Sequence, residues 1–540
     1  MKIKIITLLF TFFFISSNLE AVSKYYFYVQ LANKNNSPYS LSSPTDYLSA
    51  RAIARRTAFN TPIDSTDLPV NQTYISQIVS KGVSIHCRSK WMNGVTVLAT
   101  DTNVMSQVRT LPFVKWTKYT GKIDVAQPIG ARKSKFATQT YNYGTAATQL
   151  NQVNASYLHN AGYTGRDIHI GVLDAGFLNA NVNAGFDSLR LQGRLLGTKD
   201  FSEPVPNIYG SDSHGSNVLS IMTGNLLNQY LGAAPHASYW LIRTEYAPSE
   251  YLSETDFWVA GIEFADSVGV DVVNSSLGYT TFDDPAMNFT YANMNGTFSR
   301  ASRAATLAAQ KGILIFNSAG NEGNKTWHYI GVPADADGII SVGAATSTAE
   351  PSVFTSYGPS ADNRQKPDLS AMGTATAYIN TSGALTAGNG TSYSSPLMAG
   401  MFACFLQYAK ANLNSFSMQT LIQAAKQSAH LYSTPTYRLG YGIPNFQQAC
   451  FNLTILSDSG KTINNDLIVY RDENANDIQI WSKFINNASI AIYNLAGTKV
   501  YSNKLTDSPA IISTSGFAKG VYLIRIVENG ISVSKKIVLN

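Results

Sequence analysis

Five apolar segments alternate with helical stretches in the middle of this chain. The segments are 168–173, 237–242, 270–274, 313–317 and 339–342. The helical stretches, which have apolar residues three or four positions apart, are 217–223, 256–268 and 296–311. Strands that alternate with helices form a parallel sheet covered on both faces. The sequence therefore predicts an α/β domain over 141–453, with its functional site beyond the carboxyl ends of the strands.

The composition changes on both sides of this domain. Residues 22–120 mix strand and helix patterns, which predicts a small α+β domain, and residues 121–140 form a polar, basic connector. Short alternating strands over 454–540 predict a C-terminal β-sandwich. The Asn529-Gly530 pair in this tail is a strong hairpin signal.

The first 21 residues have the pattern of an export signal. Lys2 and Lys4 precede an apolar core, and a small residue at position 21 offers a cleavage site. The alternative is a membrane anchor, but the apolar stretch is shorter than the roughly 20 residues that span a bilayer. We therefore expect residues 1–21 to be a signal peptide and expect no transmembrane segment in the mature chain.

A serine stands in a tight turn just before an apolar run. The turn is Gly390-Thr391-Ser392, and the run after Pro396 has the spacing of a buried helix. Proline is tolerated in the first turn of a helix, so we expect the helix to begin there, with Ser392 at its N-terminus. Backbone N–H groups converge at such a terminus and favour negative charge. This position suits a nucleophilic serine.

Three more polar residues lie at ends of elements in the same domain. Asp174 ends a buried strand, His214 opens an apolar helix, and Asn321 follows another buried strand. A serine nucleophile needs a base, the base needs an orienting acid, and the oxyanion needs donors. Each residue has an ordinary structural alternative when it is considered alone: Ser392 as a helix cap, Asp174 as a turn residue at a strand end, His214 as a structural histidine and Asn321 as a turn asparagine. Their joint placement around one predicted sheet favours catalysis.

The motifs around these residues resemble the subtilisin-like serine proteases, in the chain order Asp, His, Asn, Ser. The resemblance rests on Val-Leu-Asp-Ala-Gly at 172–176, His-Gly-Ser-Asn-Val at 214–218, Ser-Ala-Gly-Asn-Glu-Gly at 318–323, Gly-Thr-Ser-Tyr-Ser-Ser-Pro at 390–396, Gly-Ala-Ala-Pro-His-Ala at 232–237 and Val-Asn-Ser-Ser-Leu-Gly at 273–278. It implies a parallel-sheet sandwich with helices on both faces. A lipase-type hydrolase would instead carry Gly-x-Ser-x-Gly, and position 394 is a serine.

The resemblance also implies a mechanism. His214 would take the proton of Ser392, Asp174 would orient the imidazole, and Asn321 would hold the oxyanion with the Ser392 N–H. An extended substrate would bind along the segments that the resemblance marks as substrate-binding, which are Ser275, Ser276, Leu277, Gly278, Ala319 and Gly320. The small residues in these segments leave an open pocket, which favours a large apolar side chain before the cut.

The two flanking units also resemble parts of known proteases. Residues 66–70 and 89–95 resemble propeptides of Bacteroidetes relatives, so we expect residues 22–120 to inhibit and chaperone the protease and to be cut off near 132–141. Residues 492–497, 520–526 and 535–538 resemble the C-terminal sorting domain of the type IX secretion system. The alternative for this tail is a generic β-sandwich that binds carbohydrate or matrix.

The sequence thus predicts a secreted or cell-surface serine endopeptidase that acts on proteins or peptides. The alternative is a catalytically idle scaffold that acts as an adhesin. No cofactor is required. Calcium stays an open alternative, because some relatives bind it at residues 225–231, but these residues contain few oxygen ligands and do not support it. The net charge of +6 includes no basic run with interleaved aromatics, so no nucleic-acid partner is expected. Three cysteines without metal-ligand spacing argue against a disulfide framework.

Overall fold

The computed structural model describes residues 24–123, 142–457, 467–472, 477–482, 488–505, 510–528 and 531–539. The predicted signal peptide, most of the connector and the Asn529-Gly530 turn lie outside these residues. The boundaries predicted between the units stay predictions.

The first unit is a four-stranded antiparallel sheet with three helices. Its elements are β1 (Lys24–Leu31), α1 (Ala50–Ala58), α2 (Gln72–Val79), β2 (Ser84–Ser89), β3 (Gly94–Ala99), α3 (Val104–Arg109) and β4 (Val114–Ile123). The strand order is β2-β3-β1-β4. The apolar faces of β1 and β3 and of helices α2 and α3 share one core, which includes Val29, Ile78 and Val97. This confirms the small α+β unit.

The central domain is built on a seven-stranded sheet. Its strands are β5 (His169–Asp174), β6 (Leu195–Asp200), β9 (Ser238–Arg243), β10 (Val272–Ser275), β11 (Leu314–Ser318), β12 (Ile340–Ala345) and β13 (Leu369–Met372), in the order β13-β12-β11-β10-β5-β9-β6. Every neighbouring pair is parallel. Two further hairpins are β7 (Asn225–Leu226) with β8 (Tyr230–Leu231), and β14 (Thr376–Ile379) with β15 (Leu385–Gly388).

Helices cover both faces of this sheet. They are α4 (Ala147–Gln152), α5 (Ala155–Asn160), α6 (Asp187–Leu191), α7 (His214–Thr223), α8 (Ser253–Val268), α9 (Arg300–Gln310), α10 (Thr391–Asn412), α11 (Met418–Ser428) and α12 (Phe446–Ser457). Successive strand residues point to opposite faces, so Val172 packs in the core with α10, and Leu173 packs in the core with α8 and α9. The predicted sheet with two helical layers is confirmed.

The C-terminal tail forms two antiparallel sheets. Its strands are β16 (Leu467–Asp472), β17 (Asp477–Ser482), β18 (Ala488–Asn494), β19 (Lys499–Leu505), β20 (Ala510–Ser513), β21 (Gly520–Glu528) and β22 (Ile531–Leu539). The sheet orders are β16-β17-β20 and β19-β18-β21-β22. Alternate side chains such as Ile480, Ile490 and Ile524 share one core, as the sandwich prediction requires.

The first unit packs against helix α8 of the central domain through buried charges. Arg55, Arg56 and Lys90 of the first unit all form ion pairs with Asp266, which is fully buried. Glu263, one helical turn earlier, accepts hydrogen bonds from the hydroxyl of Ser89 and from the backbone N–H groups of residues 90 and 91. Carboxylates on α8 therefore receive donors and cations from the first unit.

Among the described residues, no helix is long and apolar enough to cross a membrane. All three cysteines are buried and free.

Candidate active site

The ends of β5 and the start of α7 bring an aspartate and a histidine together. Asp174 Oδ1 accepts hydrogen bonds from His214 Nδ1 (2.7 Å) and from the Ala175 N–H (2.9 Å). The close approach depends on glycine after the histidine, because a Cβ at Gly215 would lie 2.4 Å from the Gly176 carbonyl oxygen. With Nδ1 donating to the carboxylate, Nε2 of His214 is the nitrogen left to exchange a proton.

Charges around His214 favour its protonated form. Burial alone lowers the pKa of an imidazole, but the charge and hydrogen bond of Asp174, with smaller contributions from Glu245 and Asp212, raise the pKa of His214 to about 9. Asp212 also accepts a hydrogen bond from the His214 N–H (2.6 Å), in an Asx turn that sets the start of α7. The side chain remains 32% exposed, so the ring can meet a substrate.

Ser392 is the second residue of α10, not a residue before it. The helix begins at Thr391, and Pro396 lies in its second turn, so the prediction that Pro396 opens the helix is wrong. Proline has no N–H to donate to the carbonyl four residues earlier. The Ser276 hydroxyl donates to this Ser392 carbonyl instead (3.0 Å), which lets the helix start earlier.

The Ser392 hydroxyl makes one hydrogen bond among the described residues. It donates to the Ser276 carbonyl oxygen at 3.4 Å, and it makes no hydrogen bond to His214. Both side chains nevertheless line the same cleft. A rotation of the serine side chain about its Cα–Cβ bond would point the hydroxyl in another direction within that cleft.

Asn321 is held with its amide nitrogen free. Its Oδ1 accepts from both the N–H (2.9 Å) and the hydroxyl (3.0 Å) of Thr391. Gly320, at φ 110°, makes the turn that carries it, and a Cβ there would lie 2.8 Å from the Ser356 hydroxyl. Since Oδ1 accepts twice, Nδ2 keeps both N–H groups for another acceptor. The sequence argument missed Thr391 as the residue that orients this amide.

The cleft that joins these residues has a volume of about 400 Å³. His214, Asn321 and Ser392 line it, and Asp174 lies behind His214. Of the predicted substrate-binding residues, the cleft brings together Ser276, Leu277, Gly278, Ala319 and Gly320. Ser275 does not line it, because its side chain is fully buried and its hydroxyl accepts from Trp258 Nε1 (2.9 Å).

Part of the cleft lining is acidic, and its residues Glu245 and Glu250 were not predicted from the sequence. Glu245 and Glu250, from the loop between β9 and α8, line the cleft, and Glu254 lies close enough that the charges of both act on its carboxyl. Burial raises the pKa of Glu250 to about 7, and burial with the charge of neighbouring carboxylates raises the pKa of Glu245 and Glu254 well above the usual range. We call these three residues the acidic wall.

The segment where some relatives bind calcium does not fit a metal here. Residues 225–231 contain no carboxylate, and β7 and β8 form a hairpin there. The Gln229 carbonyl already accepts from the N–H and the hydroxyl of Thr145. Within the described ranges, no cluster of three or more His, Cys, Asp or Glu side chains is arranged to hold a metal ion.

Comparison with protein families finds three matches along the chain. The model of the subtilase family matches residues 165–442, just over half of the chain. The Bacteroidota propeptide domain of peptidase S8 matches residues 26–138. The C-terminal sorting domain of a secretion system matches residues 474–540.

Curated relatives include subtilisins from three Bacillus species. Subtilisin E of Bacillus subtilis (strain 168) is 26% identical over 302 residues, which cover 56% of this chain and 70% of the relative. The subtilisin of Bacillus pumilus is also 26% identical over 302 residues, which cover 97% of that protein. Subtilisin DY of Bacillus licheniformis is 28% identical over 270 residues, which cover 50% of this chain and 85% of the relative.

Among solved structures, the prenylagaramide maturation protease PagA is 22% identical, with a TM-score of 0.43. The match covers 55% of this chain and 98% of that chain.

Proposed function

Because this chain belongs to the subtilase family and is a serine-type endopeptidase, we propose that Asp174, His214 and Ser392 are its catalytic triad and that Asn321 is an oxyanion donor. The observation that carries the proposal is the Asp174–His214 hydrogen bond of 2.7 Å at the cleft that Ser392 and Asn321 also line. The sorting domain matched at residues 474–540 implies export to the cell surface or the medium.

In the proposed reaction, the neutral imidazole of His214 accepts the Ser392 proton at Nε2 as Oγ bonds to the scissile carbonyl carbon. The imidazolium, stabilised by Asp174, then gives this proton to the leaving amine as the C–N bond breaks. Water deprotonated by His214 next attacks the acyl-enzyme, and the Ser392 oxygen leaves with that proton. For this to begin, the hydroxyl of Ser392 must turn from the Ser276 carbonyl toward His214.

The negative oxygen of each tetrahedral intermediate needs donors that are already in place. The free Nδ2 of Asn321 and the backbone N–H of Ser392 supply them, and the N-terminus of α10 adds favourable electrostatics. Thr391 fixes the amide because it donates twice to Oδ1. Donors that do not reorganise during the reaction lower its barrier.

The neutral part of the cleft would take the residue before the cut. Leu277, Gly278, Ala319 and Gly320 form it with little side-chain bulk. We therefore propose that a large apolar side chain binds there and that the substrate pairs its backbone with the segment around Ser276.

The decisive test is labelling of the secreted protein with a fluorophosphonate probe for activated serines. Wild type should be labelled at Ser392, and a Ser392→Ala variant should not be labelled. Wild type that stays unlabelled after loss of the first unit would contradict an assembled triad and favour the adhesin alternative.

The first unit has a proposed role in maturation. Its match to a propeptide domain and its buried contacts with α8 support binding to the protease until cleavage in the connector. Purified Ser392→Ala protein should keep the first unit during incubation, whereas wild type loses it. Loss of the unit from the isolated variant would contradict self-processing.

The tail is proposed to direct the type IX export step. A chain that lacks residues 474–540 should accumulate in the periplasm, while the full chain reaches the medium or the cell surface. Normal export of the shortened chain would contradict this role.

A further inference from the structure

The acidic wall has no lysine or arginine partner among the described residues, although Glu254 is buried and Glu245 and Glu250 are half-buried. Glu245, Glu250 and Glu254 form no ion pair with any lysine or arginine among the described residues, and no lysine or arginine lines the cleft. A carboxylate away from water is costly unless a cation or several donors approach it. These three side chains are therefore arranged for a partner that lies outside the described part of the chain.

One buried carboxylate oxygen of the wall also lacks a partner among the described residues. Glu254 is 2% exposed, and its Oε1 accepts from the Tyr246 N–H (2.8 Å), but its Oε2 has no hydrogen-bond partner in the described part of the chain. The Tyr279 side chain beside it is fully buried, and its hydroxyl is a hydrogen-bond neighbour of Glu245. Burial, and then the charges of all three glutamates, raise the pKa of this tyrosine. Buried polar groups in native proteins are otherwise nearly always paired.

A partner that stabilises the ionised form of these carboxyls is a hydrogen-bond donor with a positive charge. When they are ionised, the carboxylates of Glu245, Glu250 and Glu254 accept hydrogen bonds but cannot donate them. The described residues hold no arrangement for a metal ion. The wall also borders the reaction site, since the charge of Glu245 acts on both Asp174 and His214. A donor that enters here comes with the molecule that occupies the cleft.

We infer that the acidic wall binds the side chain of a lysine or arginine in the substrate, close to the bond that is cut. The inference rests on the proposed function, since it assigns a specificity to the same cleft. A lysine ammonium carries three donors and an arginine guanidinium five, which match the unpaired acceptors of the wall. Neighbouring side chains of an extended peptide point in opposite directions. The neutral part of the cleft and the acidic wall would therefore bind the side chains of different residues of one peptide.

The pKa values of the wall are consistent with this occupant. Without a cation, burial raises the pKa of each carboxyl, and the charges of neighbouring carboxylates add to this, which for Glu250 means the charge of Asp283. A cationic side chain would favour the ionised carboxylates and lower these pKa values. Norleucine, which has the length of lysine without its charge, would gain none of this stabilisation.

The test uses the mature wild-type enzyme and one parent quenched-fluorescent peptide. Lysine or norleucine is placed in turn at each of the three positions on either side of the cut. At one position, kcat/KM should be at least about ten-fold higher for lysine than for norleucine, which corresponds to about 1.4 kcal/mol. If no position gives a ratio above about two, the inference is wrong.

Variants then assign the preference to the wall. The Glu245→Gln/Glu250→Gln double variant should reduce the lysine-to-norleucine ratio at that position to below about two. Glu350→Gln removes the same kind of charge from an exposed site outside the cleft and should keep the wild-type ratio. A ratio that persists in the double variant would overturn the inference. If the double variant does not fold, the lysine-to-norleucine ratios of the single Glu245→Gln variant and of the wild type still test whether the wall causes the preference.

The outcomes also separate this inference from the proposed function. If norleucine peptides are cleaved and Ser392 is labelled, but lysine is nowhere preferred, only the specificity is wrong. If neither peptide series is cleaved and the fluorophosphonate probe does not label Ser392, the proposed function and this inference both fail.

Discussion

Helix α8 and the loop before it carry two groups of buried or half-buried acids with opposite surroundings. Asp266, near the end of the helix, meets Arg55, Arg56 and Lys90, and these cations keep its pKa below the usual range despite burial. Glu254, in the first turn of the same helix, has a raised pKa and a carboxylate oxygen without a hydrogen-bond partner among the described residues. Burial is similar at the two sites, so the nearby cations make the difference.

Glu263 lies between these extremes. It receives one hydroxyl and two backbone N–H groups but forms no ion pair among the described residues, and burial raises its pKa to about 7. The charge of Lys90, which forms no ion pair with Glu263, and these three hydrogen bonds therefore offset less of the desolvation penalty than the three ion-paired cations around Asp266 do. The first unit supplies cations to Asp266 at one end of α8. In the proposal above, the substrate supplies a cation to the acidic wall at the other end.

The largest expected effect comes from removing a cation at the paired end. Arg56 is 2% exposed and bonds both Asp67 (3.0 Å) and Asp266 (2.9 Å). Arg56→Met, made with Ser392→Ala to prevent cleavage, should lower the free energy of unfolding by about 3–5 kcal/mol, because it leaves buried carboxylates uncompensated. Denaturant titration of the uncut chain measures this.

A matched control removes an exposed cation. Lys325 is 62% exposed and pairs with Glu322 at 3.0 Å. Lys325→Met should change the free energy of unfolding by less than about 1 kcal/mol. Equal effects of the two substitutions would contradict the claim that buried pairing distinguishes the first site.

The two acid groups should also respond to pH in opposite directions. The folded pKa of Glu250, about 7, exceeds its ordinary 4.5, so its stabilisation is present below pH 4.5 and is lost as pH rises through about 7. The folded pKa of Asp266 is lowered, so its contribution is present above pH 3.8 and is lost as pH falls.

The Glu250→Gln variant measures the pH-dependent contribution of Glu250 to stability. Both proteins carry Ser392→Ala, and one of them also carries Glu250→Gln. Between pH 5 and pH 8, the free energy of unfolding should fall by about 1–3 kcal/mol more in the protein that keeps Glu250. Denaturant titrations at several pH values measure this slope. Parallel pH profiles for the two proteins would contradict an unpaired carboxyl at Glu250.

The connector offers a smaller test of what occupies the acidic wall. Residues 132–135 read Arg-Lys-Ser-Lys, so this chain carries cationic side chains in the segment where cleavage is proposed. Changing Arg132, Lys133 and Lys135 to glutamine should slow loss of the first unit by about ten-fold, or about 1.4 kcal/mol. Mass spectrometry of timed samples measures this rate. The charge-conserving triple variant Arg132→Lys/Lys133→Arg/Lys135→Arg should mature normally, and equal slowing of both variants would contradict a role for charge.

Sequence patterns predicted the sheet well where strands are buried on both faces. The five predicted strands correspond to β5 and β9–β12 with bounds shifted by one to three residues. The two edge strands, β6 and β13, were missed. Strand β6 is half-buried or exposed, without an apolar run, and β13 is buried but has only four residues, with Ser370 among them. The three helices were also predicted, although α9 begins at Arg300 rather than at 296.

The candidate site divides in the same way. Asp174, His214, Asn321 and Ser392 were predicted because each stands in a local motif at the end of an element. The helix start at Thr391 was not predicted, because it depends on the Ser276 hydroxyl, which is distant in sequence. The acidic wall was missed for a related reason: Glu245 and Glu250 belong to no motif, and only the fold of their loop brings them beside His214.

The smallest expected effect is electrostatic and links the acidic wall to His214, the proposed catalytic base. The charges of Asp174, Glu245 and Asp212 favour the imidazolium of His214, whose pKa is raised to about 9, so kcat/KM should rise with pH toward this value. Glu245→Gln removes one of these charges, disfavours the imidazolium and should move the rise to lower pH by about half a unit. An uncharged norleucine peptide is the substrate, so that titration of the wall does not alter its binding. Glu350→Gln should leave the profile in place. A midpoint that stays unchanged in Glu245→Gln would mean that the wall acts on the substrate alone and has no electrostatic effect on the base.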